Sequence, residues 1–166
     1  MPGREMTDDA APDKLIVFVA GDPAPQGSKR YVGRGIMIES SSRVKPWRAD
    51  VRAALLGEDG RPLGSFGKVA IDLVLGFIIP RPKSLPKRRT PEATKRPDID
   101  KLARAVNDAI TSAGIWHDDS QIVRCLKWKR YADQDETPGC WIKISRYVDD
   151  EPCPPDQYQN TTMFTA

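Results

Sequence analysis

The sequence predicts an α+β fold, a single domain in which a mixed or antiparallel sheet carries two main helices. Three observations lead to it. Residues 69–79 alternate strictly, with Val69, Ile71, Leu73, Leu75, Phe77 and Ile79 on one side, the period of a long core strand. Residues 99–113 place Ile99, Leu102, Ala103, Val106, Ala109, Ile110 and Ala113 at i, i+3, i+4, i+7 spacing, the period of a helix buried along one face. The order strand, helix, strand, loop, helix, turn, strand, strand fits within 166 residues, the size of one domain with its own core.

Taken in order, residues 15–20 form a short apolar run suited to a strand, stopped by Gly21, Asp22 and Pro23. A loop with Gln26, Gly27, Ser28, Lys29 and Arg30 follows, in which a permissive glycine beside two bases allows backbone amides to approach an anion. Residues 46–57 begin at proline, carry Trp47, Val51, Ala54 and Leu55 at helical spacing and stop at Gly57. Arg48 and Arg52 share a face of this helix, which a solvated surface explains by itself. After the strand at 69–79, residues 81–96 hold seven bases, Arg81, Lys83, Lys87, Arg88, Arg89, Lys95 and Arg96, against Glu92 alone. Pro82, Pro86 and Pro91 interrupt them, so a flexible loop is expected. The helix at 99–113 ends at Gly114. Residues 120–131 read as a strand with Arg124, Lys127, Lys129 and Arg130 interspersed, and residues 140–148 alternate again through Cys140, Ile142, Ile144 and Val148. The turn-forming residues between them predict an antiparallel pair.

The net charge of +3 hides an asymmetry. Residues 1–13 carry −3 and residues 149–166 carry −4, which leaves the core at +10. Such a core suits a polyanion, because each phosphate contact by Lys or Arg releases a condensed counterion. The acidic ends, with little apolar content, are expected to be disordered tails around a domain spanning 14–148. Cys125, Cys140 and Cys153 show no CxxC spacing, and His117 is the one histidine, so no familiar zinc set is available. The odd cysteine count and the lack of a leader pattern predict a cytoplasmic protein. No apolar run approaches the ~18 residues of a membrane helix.

The chemistry concentrates at 97–119. Asp98 and Asp100 stand at the entrance of the helix directly after the basic loop, and Asp118 and Asp119 follow its end. Four carboxylates are hard oxygen ligands that favour Mg²⁺ or Mn²⁺ over zinc or copper, and beside dense positive charge they suit metal-assisted phosphodiester cleavage. Each pair also has a structural explanation. Acidic residues at a helix N-terminus are favoured by capping and the macrodipole, and Asp118 is placed to cap its turn. Asp119, at the start of the next strand, is expected to lie near the helix N-terminus.

These residues resemble the RusA-like Holliday junction resolvases, the crossover junction endodeoxyribonucleases. The resemblance rests on Asp98-Ile99-Asp100 opening a helix, Asn107-Asp108 within it, Gly114-Ile115-Trp116, and Asp118-Asp119 before a strand. It is strongest over residues 95–131 and extends weakly to Gly27-Ser28-Lys29, Lys45-Pro46-Trp47 and Arg81-Pro82-Lys83-Ser84. It implies a RusA-like fold and a bacterial or phage-encoded homodimer acting on DNA in the host cytoplasm. Its substrate would be a branched DNA, the four-way junction, nicked symmetrically in two opposed strands. It also implies Mg²⁺, with Mn²⁺ able to substitute, held by Asp98, Asp100 and Asp119, with Asp118 a weaker fourth ligand. Lys29, Arg30, Lys83, Lys87, Arg88, Arg89, Lys95, Arg96, Lys101, Lys127 and Lys129 are the expected DNA contacts. Better-known members carry asparagine after the second aspartate and a functional lysine three residues on, where this chain has Lys101 and Arg104. Arg104 is a catalytic candidate for holding the phosphate, but a guanidinium will not act as a general acid. A non-catalytic DNA-binding module and a metal nuclease acting on another branched or flap DNA are the alternatives.

Overall fold

The computed structural model describes residues 12–149 except 28, 32, 35, 36, 40, 41 and 87. Apart from 12, 13 and 149, the expected tails lie outside the described residues, as do Ser28, Lys87 and the side chains of Lys29 and Arg30. In chain order the elements are β1 (Lys14–Ala20), β2 (Lys29–Tyr31), β3 (Met37–Glu39), α1 (Val44–Ala54), β4 (Ile71–Ile79), α2 (Ile99–Ala113), β5 (Ile122–Tyr131) and β6 (Gly139–Arg146). The four longer strands form one mixed sheet in the order β1-β6-β4-β5, and β2 and β3 form a separate hairpin. This is the α+β architecture that the periodicities predict. The β2–β3 hairpin is not predicted, and part of the loop expected at residues 26–30 lies in it. A three-residue strand is too short to display a period of two.

The pairing of the last two strands differs from expectation. β5 and β6 do not pair with each other. β4 lies between them, parallel to β5 and antiparallel to β6. The reason is the composition of β4. Its alternation predicts one buried face, yet all nine residues are buried, Asp72, Val74, Gly76 and Ile78 included. A strand apolar on both faces belongs in the middle of a sheet, and the connection from Tyr131 to Gly139 crosses its end, where Ala132 N donates to Ile79 O at 2.8 Å.

Both helices cover one face of the sheet. Trp47 and Val51 of α1 and Leu55 just after it meet Leu102, Val106 and Ile110 of α2 over Leu73, Leu75, Phe77, Ile142 and Ile144, all in one buried cluster. The other face is closed by its own side chains. Trp128 lies across Gly76, where a Cβ would sit 2.3 Å from the indole, and Arg124 pairs with the buried Asp72 at 2.6 Å. Alternation along β5 therefore divides its bases. Arg124 and Arg130 share this face with Trp128, whereas Lys127 and Lys129 point to the helix side, in register with Leu75 and Phe77.

Candidate active site

α2 sets the geometry. It begins at Asp98, whose extended backbone (φ −71°, ψ 134°) is typical of a residue preceding a helix, and ends at Gly114 in the left-handed conformation (φ 76°). Between these ends the fifteen residues span roughly 20 Å at 1.5 Å each. The Asp98 side chain makes no capping hydrogen bond, so capping does not account for its carboxylate. That group lies instead 3.5 Å from the Lys101 ammonium. Asp100 is paired at 2.5 Å with Lys127, which reaches over from β5. The hydrogen bond from Lys127, and then its charge, hold the Asp100 carboxyl below the usual carboxylate range.

Positive charge surrounds this end of the helix. Arg43, Arg96 and Lys101 line one depression with Asp98, Pro25 and Gly27, and the adjoining one adds Lys95, again with Arg43 and Arg96. Gln26 N donates to Lys101 O at 3.0 Å, docking the Gln26–Gly27 loop on the first turn of α2. Arg43 was not predicted from sequence. Its signal was its place just before the Lys45-Pro46-Trp47 segment; it lines both depressions while pairing with Asp22 at 2.6 Å. Arg104 is exposed and meets no carboxylate among the described residues.

The described residues of the basic loop form no helix or strand, yet hydrogen bonds tie it at several points. Arg81 Nη1 donates to Thr90 Oγ1 at 2.6 Å, and Nη2 donates to Pro86 O and to Arg89 O. Thr90 in turn donates to Asp133 at 2.6 Å. Lys129 ties the far end, donating to Lys95 O and Pro97 O at 2.8 and 2.7 Å, and so fixes the backbone that leads into Asp98. In this loop, expected from sequence to be flexible, one guanidinium supplies hydrogen bonds of the kind that prolines remove. Arg88 and Arg89 remain exposed. Replacing Arg81 by alanine is expected to leave the domain folded while making residues 82–92 several times more sensitive to limited proteolysis. An unchanged digestion pattern would show that Arg81 does not organise the loop.

Asp118 and Asp119 sit elsewhere. They line a shallow pocket with Arg48, Asp108, Thr111 and Ser112, beside the C-terminal half of α2. Asp119 is therefore not near the N-terminus of α2, as had been expected. The chain returns to the sheet directly from Gly114, so the turn stays at the end of the helix where it began. Asp118 caps this turn, accepting from Ser120 N at 2.9 Å, and the Ser120 hydroxyl, followed by this backbone bond, holds its carboxyl below the usual carboxylate range. Gln121 completes the cap by accepting from His117 N and Asp118 N, and its amide donates to Gly67 O and Val69 O, both at 2.8 Å. Gln121 was missed, although Asp-x-x-Gln is the spacing of a capping box. Among the described residues no three His, Cys, Asp or Glu side chains lie close enough together to hold a metal ion.

The family model described as Endodeoxyribonuclease RusA matches residues 20–145 of this chain. No curated protein matches it.

Proposed function

Because the chain belongs to the RusA endodeoxyribonuclease family, we propose that it resolves four-way DNA junctions by paired nicks, as a Mg²⁺-dependent homodimer. The observation that supports this most is the entrance of α2. The Asp98 carboxylate, not used as a helix cap, shares a depression with Arg43, Arg96 and Lys101, and Asp100, two residues on, is paired with Lys127.

Asp98 and Asp100 fit a hard divalent cation. Both are oxygen donors and both are exposed, and Mg²⁺ is commonly held by one or two carboxylates together with substrate phosphates and water. Bound there, it would acidify a water and offset the charge that develops on the phosphate. The chain's own residues would then do the following work. Arg43, Arg96 and Lys101 draw the backbone of the DNA to the helix entrance, Lys129 keeps the Asp98 turn in place, and Arg104, one turn beyond Asp100, offers a fixed charge to a phosphate oxygen.

Asp119 enters this scheme through the dimer. In a two-fold dimer each contact is made twice with the roles exchanged. If the α2 helices run antiparallel, the Asp118–Asp119 turn of each protomer meets the Asp98–Asp100 pair of the other. Mixing inactive Asp100→Asn and Asp119→Asn chains is then expected to restore cutting, because one of the two shared sites in each mixed dimer regains all its carboxylates. Mixtures that stay inactive would place the three carboxylates of a site in one chain.

The function itself is tested with a synthetic four-way junction and a linear duplex, each with and without Mg²⁺. Symmetric nicks confined to the junction and dependent on Mg²⁺ are expected. Binding without cutting would favour the non-catalytic module. Cutting of flaps in preference to junctions would assign a different branched substrate.

A further inference from the structure

Lys127 is placed where a salt bridge for stability has little to do. Its partner Asp100 is 81% exposed, and its own side chain is one-third exposed. Ion pairs with one member so accessible contribute little to folding. What stands out is the selection of donors along the helix side of β5. Cys125, two residues before Lys127, is an exposed thiol and only a weak donor. Lys129, two residues after it, is committed to the carbonyls of Lys95 and Pro97. Lys127 has three N–H donors and, among the described residues, one acceptor, Asp100 Oδ1.

Resting on the nuclease reading above, we propose that Lys127 is an exchangeable counter-ion that positions Asp100 before a divalent cation binds and then passes to the scissile phosphate. The placement permits the exchange. Asp98 and Asp100 would hold the cation, and a phosphate drawn to Asp100 would come within the swing of the Lys127 stem, whose ammonium already rests 2.5 Å from Oδ1. Arg104, the residue at the family lysine's place, cannot substitute for a compact ammonium at Asp100, because its planar fork comes from the same helix and Lys127 from the facing strand.

The test uses the full chain and its Lys127→Met and Lys127→Arg variants. Mn²⁺ affinity is measured without DNA by electron paramagnetic resonance, and the single-turnover nicking rate on a four-way junction is measured at saturating metal. Lys127→Met should bind Mn²⁺ more tightly, roughly fivefold, because a cation no longer competes for Asp100. Its nicking rate should fall at least about tenfold, and Lys127→Arg should recover part of that rate. A merely structural lesion would weaken metal binding and cutting together, so their divergence is the signature. Unchanged or weaker Mn²⁺ binding, or a wild-type nicking rate in Lys127→Met, overturns the proposal. If Lys127→Met cuts normally while Asp100→Asn does not, only the role of Lys127 fails. If Asp100→Asn also cuts normally, the site at α2 fails with it.

Discussion

Replacing Asp100 by asparagine is expected to lower junction cutting by at least about a hundredfold while leaving junction binding intact or tighter. Removing even a supporting partner of a metal ligand commonly costs 10- to 100-fold, so loss of a ligand's own charge should cost at least the upper figure. The substitution is isosteric, and the side chain is exposed, so the helix it opens should be undisturbed. Binding should not suffer. Asparagine removes a negative charge from the path of the phosphate and releases Lys127 from its pairing with Asp100. Nicking is measured at saturating Mg²⁺ and binding by gel shift in the presence of a chelator. Full cutting by this variant would remove Asp100 from the site.

The largest loss of stability is expected at Trp47. This side chain is 2% exposed and sits in the cluster that joins α1 to α2 and the sheet. Truncation to alanine should cost about 3–5 kcal/mol, the transfer of a large ring plus the cavity left behind, which lowers the melting temperature by roughly 10 °C. Trp47→Phe provides the contrast. The indole Nε1 is buried and meets no acceptor among the described residues, and an unpaired buried donor costs about 1–3 kcal/mol. Phenylalanine removes that donor while keeping most of the volume, so its net cost should be about 1 kcal/mol or less. Equal losses for the two variants in thermal or urea unfolding would mean that volume at this position does not control stability.

Much of the fold is written in local periodicity. The helix at Ile99–Ala113 and its glycine stop were legible because eleven or more residues repeat one period and a left-handed cap favours glycine. The long strand at Ile71–Ile79 was legible from its alternation. What alternation could not show is that Asp72, Val74, Gly76 and Ile78 are buried too. Asp72 and Gly76 do not read as apolar, and their burial depends on Arg124 and Trp128 arriving from a strand fifty residues later. The misread β5–β6 pairing has the same origin, since neither strand alone reports that a third lies between them.

The candidate site divides along the same line. By itself the sequence determined the residue types: hard carboxylates at both ends of one helix, a dense basic segment before it, and a +10 core suited to a polyanion. Only the tertiary structure decided which of these meet. It brought Lys127 to Asp100, Lys129 to the turn before Asp98, and Arg43 to the same groove, and it held Asp118 and Asp119 at the other end of α2. The physical reason is range. Caps, periods and charge runs are settled by neighbours within a turn or two of chain, whereas a site is settled by strand register and helix docking, which depend on the packing of the whole core.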